Sequence, residues 1–330
     1  MEKILIMGGA GFIGSKLCEV LVRENYDVAI IDNFIQYSDP LAVNYSVSLE
    51  YRKKFLKNVK VYRADASISY ELQKCLSDFK PDRIVHLAAL TRADINDDSM
   101  LGAVNKSLMP LLTVMEYYRD KPNELKRFLY VSSSYAYGNF QHSPCDEEHP
   151  KVPTSTYGGV KLSCEVLTSA WGKRFSIPYT IVRPIACYGP SDLNGKLSMQ
   201  NIKRVIDKKE LYIMSSLDEL SDYTYVDDLA EGMKLALFNP NAEGEIFNLS
   251  SGKGLKLSEI IEHFNNLGYE VKPVMAPVLK SRPKRGYLCI DKARKVLGYN
   301  PKVDIEEGLK RCIDYINSHK IIVEEEAQND

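Results

Sequence analysis

The chain has 330 residues, of which 45% are hydrophobic and 26% are charged, as is ordinary for a soluble globular protein. Its formal net charge of −1 gives no reason to expect nucleic acid or an acidic membrane surface as a partner. The apolar runs are too short to span a membrane, and the chain opens directly on a core strand. We therefore expect neither a membrane segment nor a signal peptide.

Cysteine and histidine usage indicates a reducing compartment and no metal site. The seven cysteines are scattered without a CxxC pair, and the five histidines form no HxxxH pattern or Cys/His cluster. We therefore expect buried, reduced thiols in a cytoplasmic protein.

The start of the chain predicts a strand, a glycine turn and a helix. Lys3–Met7 is a short apolar run typical of a strand buried on both faces, and Ser15–Arg23 has helical spacing. The turn between them reads GGAGFIG and fits the GxGxxG spacing, although such turns also occur as plain structure. Glycine permits the close approach of a pyrophosphate, and the first N–H groups of a helix attract phosphates. We therefore predict dinucleotide contacts at Gly8, Gly11, Phe12, Ile13 and Gly14.

A second buried strand, Val28–Asp32, ends in an acid at the distance that the glycine motif requires. The Asp32 carboxylate would accept hydrogen bonds from the adenosine ribose and repel a 2′-phosphate. No Lys or Arg follows it until Arg52, so we predict NAD rather than NADP as the cofactor. The polar loop from Asp32 to about Ser48 is interpreted as a functional segment or lid, or else as a solvated insertion.

Strands and helices alternate through the first half of the chain and predict a Rossmann-type α/β fold with a doubly wound parallel sheet. Further strands are predicted at Val59–Tyr62, Arg83–Leu87, Arg127–Val131, Tyr179–Arg183 and Glu245–Leu249. Helices are predicted at Ile68–Phe79, Asp97–Arg119, Ser155–Phe175 and Val226–Phe238.

After Pro184 the elements become shorter and predict a smaller C-terminal α/β substrate domain, which includes Leu257–Leu267 and Ile305–Ile316. We expect residues 1–184 and 226–250 to form an NAD-binding domain. Residues 185–225 and 251–320 would form the second domain, and 321–330 an acidic tail.

Tyr157 and Lys161 lie four residues apart in a predicted helix, so both side chains fall on one face. Tyrosine is a weak base at its ordinary pKa of about 10, and a neighbouring ammonium favours the phenolate. Such a pair can take a hydroxyl proton while a hydride leaves the same carbon. The helix follows the fifth strand, whose C-terminal end carries three serines, and ligands bind at that end of open α/β sheets.

Several motifs occur together in one order, and with them the chain resembles an extended short-chain dehydrogenase/reductase of the nucleotide-sugar epimerase/dehydratase family. The resemblance covers residues 1–315. It rests on the glycine turn, Asp32, HLAA at 86–89, SSSYAYG at 132–138, YGGVK at 157–161, Arg183-Pro184 and DYTYVDD at 222–228.

The resemblance implies an NAD enzyme that acts on a nucleotide-diphospho-sugar. Tyr157 would be the base, Lys161 would bind the nicotinamide ribose and tune Tyr157, and Ser133, with adjacent Ser134, would bind the C4 oxygen of the sugar. The implied cofactor contacts are Asp32, Asn33, Asp65, Ala66, Leu87, Ala88, Ala89 and Pro184. The implied substrate contacts are Ser133, Ser134, Tyr188 and Arg282, the last at the diphosphate.

The chain departs from the family pattern at three places. Related dehydratases have an acid just after the catalytic Ser/Thr, where this chain has Ser134 and Tyr135, so elimination lacks its general acid. Ser221 replaces an arginine that would bind phosphate, and Ala186 replaces an asparagine near the sugar diphosphate.

These features predict a sugar-nucleotide 4-epimerase. The alternative is a one-way 4-dehydrogenase or 4-ketoreductase. A 4,6-dehydratase and a non-catalytic NAD-binding sensor rank below it. The resemblance also implies a homodimer through the helices at 100–118 and 155–170. An apolar stripe of Leu108, Leu111, Leu112 and Met115 would serve it, although burial within one subunit explains these residues almost as well.

Overall fold

The computed structural model describes residues 1–35, 44–90, 99–195, 197–213, 215–276 and 283–322. The strands are β1 (Lys3–Met7), β2 (Asp27–Asp32), β3 (Lys60–Arg63), β4 (Arg83–His86), β5 (Arg127–Val131), β6 (Tyr179–Pro184), β7 (Cys187–Tyr188), β8 (Glu210–Ile213), β9 (Leu220–Ser221), β10 (Thr224–Tyr225), β11 (Ile246–Leu249), β12 (Leu255–Lys256) and β13 (Lys272–Met275).

The α-helices of these ranges are α1 (Phe12–Arg23), α2 (Tyr45–Lys53), α3 (Ser69–Phe79), α4 (Met100–Tyr118), α5 (Thr156–Phe175), α6 (Met199–Ile206), α7 (Val226–Phe238), α8 (Leu257–Asn266), α9 (Asp291–Leu297) and α10 (Ile305–Ser318). Within the described part of the chain, no helix is both long and apolar enough to cross a membrane.

Seven strands form one sheet in the order β11-β6-β5-β4-β1-β2-β3, and every neighbouring pair in it is parallel. The chain order reverses between β1 and β4, where Met7 lies opposite both Ile31 and His86. A crevice at such a switch point is where open α/β sheets bind ligands. The predicted Rossmann-type, doubly wound parallel sheet is confirmed.

Helices cover both faces of this sheet. One core contains residues of α1, α7 and α9, and the opposite core contains residues of α3, α4 and α5. Along β1, Ile4 and Ile6 face the first core, whereas Leu5 and Met7 face the second. Burial on both faces explains why this strand is a continuous apolar run.

A third core joins β7, α6, α8 and α10, with Tyr188, Ile202, Phe264 and Leu309 among its buried residues. Its elements come from two stretches of chain on either side of α7. Three two-stranded sheets, β10-β7, β12-β9 and β13-β8, belong to the same stretches. These short elements begin after Pro184, where the sequence predicts a change of rhythm.

Most predicted boundaries agree with the structure to within one or two residues, and two differences stand out. Helix α1 begins at Phe12 rather than Ser15, and α2 begins at Tyr45 inside the predicted loop. Val47 and Tyr51 of α2 pack against the third core, and Arg52 donates to the Ser191 hydroxyl at 3.1 Å. Because these contacts join residues that are far apart in the sequence, α2 has no hydrophobic period of its own from which the helix could be predicted. The predicted helix start at Asp97 and residues 323–330 of the predicted tail lie outside the described residues.

Candidate active site

The glycine turn joins β1 to α1 in a tight backbone arrangement. Gly8 has a φ of +82°, and a Cβ there would lie 2.9 Å from the backbone nitrogen of Ala88. A Cβ on Gly14 would lie 2.5 Å from the Gly8 carbonyl oxygen. Larger residues would therefore separate the turn from β4 and from the helix.

Helix α1 starts at this turn with its N-terminus open. Gly11 is the N-cap residue, the first turn has no acid, and among the described residues no side chain caps the helix. The first backbone N–H groups, at Phe12, Ile13 and Gly14, therefore fit the diphosphate of a dinucleotide.

Asp32 lies at the end of β2 and organises the neighbouring backbone. Its carboxylate accepts the N–H of Ala10 at 2.9 Å and that of Phe34 at 2.8 Å. Burial raises the pKa of Asp32, although these two bonds oppose the shift. The carboxylate thus joins the glycine turn to the end of β2, on the side where an adenosine ribose would lie.

Two further predicted cofactor residues are joined at the ends of β2 and β3. The Asn33 side-chain amide donates to the Asp65 carboxylate at 3.1 Å, and the Lys106 ammonium bonds the same carboxylate oxygen. Burial opposes ionisation of Asp65, but hydrogen bonds from Lys106 and Ser67 outweigh it and lower its pKa to about 2. Asp65 therefore remains an anion in the physiological range, with Ala66 buried beside it.

The residues that follow β4 lie at the switch point of the sheet. The Leu87 N–H donates to the Met7 carbonyl at 2.9 Å, and Leu87, Ala88 and Ala89 all remain partly exposed. Pro184 is buried at the end of β6, opposite Leu249 of β11.

Tyr157 lies in the first turn of α5, and Lys161 lies one turn later. Ser155 caps this helix by accepting the Gly158 N–H at 3.2 Å. Tyr157 is half-buried, and the side chain of Ser133 lies near enough to its phenol to lower the pKa of that group. The Lys161 ammonium donates to the Val131 carbonyl at 2.8 Å and lies 5.8 Å from the centre of the Tyr157 ring. Candidate base, lysine and serine thus meet at the carboxyl end of β5.

Burial shifts both titratable groups of this site. It raises the pKa of Tyr157 to about 12, while the hydrogen bond from Ser133 and the charge of Arg285 act in the opposite direction. It lowers the pKa of Lys161 to about 8. A phenol with this pKa is protonated at neutral pH, so its deprotonation needs further positive charge nearby.

Arg285 is a site residue that the sequence prediction missed. Its Nη1 donates to the Ser134 hydroxyl at 3.1 Å, and its guanidinium carbon lies 4.0 Å from the centre of the Tyr135 ring. The Tyr135 ring meets that of Tyr157 edge-on at 5.3 Å. The sequence KSRPKR offers several cations, and nothing in it indicates which one reaches Tyr157.

The two other predicted substrate contacts are placed differently. Tyr188 is 2% exposed, and its ring packs in the third core against Tyr223 and Tyr225. Its side chain therefore has little surface to offer a ligand. Arg282 lies outside the described residues.

A model of the NAD dependent epimerase/dehydratase family matches residues 4–250. A UDP-glucuronate 4-epimerase of Thermodesulfobacterium geofontis is 29% identical over 323 residues, which cover 96% of each chain. The crystal structure of a Bacillus cereus UDP-glucuronic acid 4-epimerase with UDP-glucuronic acid and NAD has a TM-score of 0.86 at 29% identity, covering 96% of this chain and 99% of that one. A Thermotoga maritima UDP-glucose 4-epimerase with UDP-glucose has a TM-score of 0.84 at 27% identity, with the same coverage. The chain therefore belongs to the NAD dependent epimerase/dehydratase family, among the extended short-chain dehydrogenases/reductases.

Proposed function

We propose that this protein is an NAD-dependent nucleotide-sugar 4-epimerase with Tyr157 as its catalytic base. The observation that carries this function is the position of buried Lys161, whose ammonium donates to the Val131 carbonyl at the end of β5 and lies 5.8 Å from the centre of the Tyr157 ring. Tyr157 and Lys161 lie at the carboxyl end of β5, and β4 separates this strand from β1 and its glycine turn. The relatives described above include 4-epimerases of two UDP-linked sugars, which supports reaction at C4.

The residues of the cofactor site fit NAD. The N-terminus of α1 would hold the diphosphate, Asp32 the adenosine ribose, Asp65 and Ala66 the adenine, and Lys161 the nicotinamide ribose. When bound, NAD supplies the hydride acceptor at C4 and later the hydride donor, and its oxidised ring adds positive charge beside the phenol. The neighbouring Pro184 would abut that ring.

The protons are moved by the protein. Tyr157, once ionised to the phenolate, takes the proton of the C4 hydroxyl and becomes the neutral phenol, and Ser133 would hold the C4 oxygen by a hydrogen bond. The resulting 4-keto sugar then turns within the site. Tyr157 returns the proton when the opposite face of C4 is reduced, which inverts that carbon.

The alternatives share this machinery. A 4-dehydrogenase or 4-ketoreductase would use the same Tyr157 and Lys161 without the second half-reaction. The contacts of Ser134 and Tyr135 argue against a dehydratase, because a hydroxyl bonded to Arg285 and an aromatic ring replace the expected acid. A non-catalytic sensor would have no need for the retained Tyr157–Lys161 pair.

We also propose that α4 and α5 pair with their copies in a homodimer. Leu111 and Met115 are buried in the chain's own core, so they are not available for a subunit interface. Met100, Leu101 and Val166 remain exposed on these adjacent helices and would serve instead. A single-chain mass by light scattering at micromolar concentration would reject the dimer.

We assign the two proposed domains according to the three hydrophobic cores. The two cores on the sheet would belong to the NAD-binding domain, and the third core to the domain that binds the nucleotide-diphospho-sugar. All seven cysteines are free thiols, in keeping with a cytoplasmic location.

The test is incubation of the NAD-supplemented protein with UDP-glucose and UDP-glucuronic acid, followed by separation of the products. Appearance of a C4 epimer without net NADH supports the epimerase. Accumulation of NADH with a 4-keto product would identify a dehydrogenase instead. A lack of turnover across UDP-, GDP-, CDP- and dTDP-sugars would reject both enzymes.

A further inference from the structure

Arg285 brings a positive charge to the reacting end of the sugar site. Its Nη1 donates to the hydroxyl of Ser134, the residue directly after Ser133. Its guanidinium lies on the face of the Tyr135 ring, whose edge meets Tyr157. An arginine on an aromatic face keeps a defined plane, and its remaining donors point along that plane.

The backbone of Arg285 is held in place from both sides. The Lys284 N–H donates to the Asn139 side chain at 2.8 Å, and the Lys284 carbonyl accepts the Phe140 N–H at 3.1 Å. Three residues later, the Leu288 N–H donates to the buried Asp222 carboxylate at 3.1 Å. These contacts hold the backbone on both sides of Arg285, and the Ser134 hydroxyl and the Tyr135 ring hold its guanidinium, which lowers the entropy cost of binding a substrate.

The chemistry of a pyranose limits what this guanidinium can meet. C1, which carries the diphosphate, and C4, which reacts at Tyr157, lie at opposite ends of the ring. The neighbours of C4 are the C3 hydroxyl and C5 with its C6 substituent. Of these, only C6 can carry a charge, as a carboxylate, and a planar guanidinium binds a carboxylate through two parallel hydrogen bonds.

We infer that Arg285, together with the Ser134 hydroxyl, binds the C6 carboxylate, and that the substrate is a nucleotide-linked hexuronic acid. This assignment rests on the proposed reaction of Tyr157 at C4. Related dehydratases have their acid at the places that Ser134 and Tyr135 occupy in this chain. The site therefore presents hydrogen-bond donors for a carboxylate where a dehydratase presents an acidic side chain.

The test compares kcat/KM of the NAD-supplemented enzyme for UDP-glucuronic acid and UDP-glucose in the wild type, Arg285→Gln and Arg285→Lys. We expect the wild type to favour the uronic acid by roughly 100-fold and Arg285→Gln to lose roughly 10- to 100-fold with it alone. Arg285→Lys keeps the charge without the fork and should fall between the two. Lys284→Gln makes the same change of net charge at an exposed neighbour and should keep the preference.

A wild type that prefers UDP-glucose, or an Arg285→Gln variant that loses both substrates equally, would overturn the assignment. Failure of the 4-epimerase proposal is distinguished by calorimetric binding of both sugars to NAD-loaded Tyr157→Phe, with and without Arg285→Gln. A preference for the uronic acid that disappears with Arg285 supports carboxylate binding whatever the reaction. Equal affinities for the two sugars would reject it.

Discussion

The guanidinium of Arg183 and the carboxylate of Glu165 form a two-point ion pair beneath the candidate catalytic helix. The Nε–Oε1 distance is 2.9 Å and the Nη2–Oε2 distance is 2.6 Å, with the two side chains 1% and 3% exposed. Glu165 lies one turn after Lys161 on α5, and Arg183 precedes Pro184 on β6. Glu165 also accepts the hydroxyl of Ser132, which precedes Ser133. The pair therefore ties α5, the helix of the base, to β6 and, through Ser132, to the segment that follows β5.

Replacing Glu165 by Gln should destabilise the protein strongly, because it leaves the Arg183 charge buried without its counter-ion. We expect the free energy of unfolding to fall by about 3–5 kcal/mol in urea denaturation. Glu306→Gln makes the same change in an exposed pair with Lys310 and should cost at most about 1 kcal/mol. Equal losses in the two variants would show that the buried pair does not hold the helix.

Tyr157→Phe should separate chemistry from binding. The ring and its packing against Tyr135 remain, so the melting temperature and NAD affinity should change little. Single-turnover formation of NADH with the true substrate should fall by roughly 10²–10⁴-fold, the usual effect of a positioned acid/base. Ser133→Ala should cost less, since Ser134 or water can replace part of one neutral hydrogen bond. A near-wild-type rate in Tyr157→Phe would mean that another group takes the proton.

Asp32→Ala should weaken NAD and let NADP compete better. Each charge-assisted bond to the ribose contributes about 1.5–3 kcal/mol, so the Kd for NAD should rise roughly ten- to hundredfold. Asp32→Asn is the matched control, because it removes the charge but keeps one oxygen acceptor for either the Ala10 or the Phe34 N–H group, which bond different oxygens of the carboxylate. It should improve NADP binding with a smaller loss of NAD. Unchanged affinities in both variants would place Asp32 away from the ribose.

Burial of Lys161 should make stability depend on pH in the alkaline range. Its pKa is lowered to about 8 in the folded protein, whereas an unfolded chain keeps a lysine pKa of about 10.4. Between these values the unfolded chain binds a proton that the folded chain does not, so the contribution of Lys161 to stability rises with pH and is lowest below pH 8. The unfolding free energy of the wild type minus that of Lys161→Met should therefore rise with pH across this window. A constant difference in urea titrations would contradict the lowered pKa.

The regular part of the fold could be predicted from sequence because its signals are local. Buried parallel strands appear as apolar runs, Ser155 marks the start of α5, and α7 has the bounds that its pattern predicts. The two-residue strands β7, β9, β10 and β12 are too short to show a period.

The missed parts of the site depend on contacts between distant residues. Arg285 is placed by the pairing of its segment with residues 139–145, which no spacing within either segment indicates. The Lys161 ammonium donates to the Val131 carbonyl, although its spacing from Tyr157 suggests a direct effect on the phenol.

Ala186 has a φ of +35°, a region that asparagine tolerates better than alanine, so the family's asparagine also suits this backbone.

The position of Arg285 also bears on whether the sugar keeps all its carbons. A hexuronic acid oxidised at C4 is a β-keto acid, which can lose carbon dioxide when the C5–C6 bond breaks and its electron pair enters the enolate of the ketone. A guanidinium bound to the carboxylate opposes this loss, because the negative charge would have to leave its partner. The contact that we infer between Arg285 and the carboxylate would thus also protect the oxidised substrate, and the by-product expected from Arg285→Gln is a nucleotide-linked pentose.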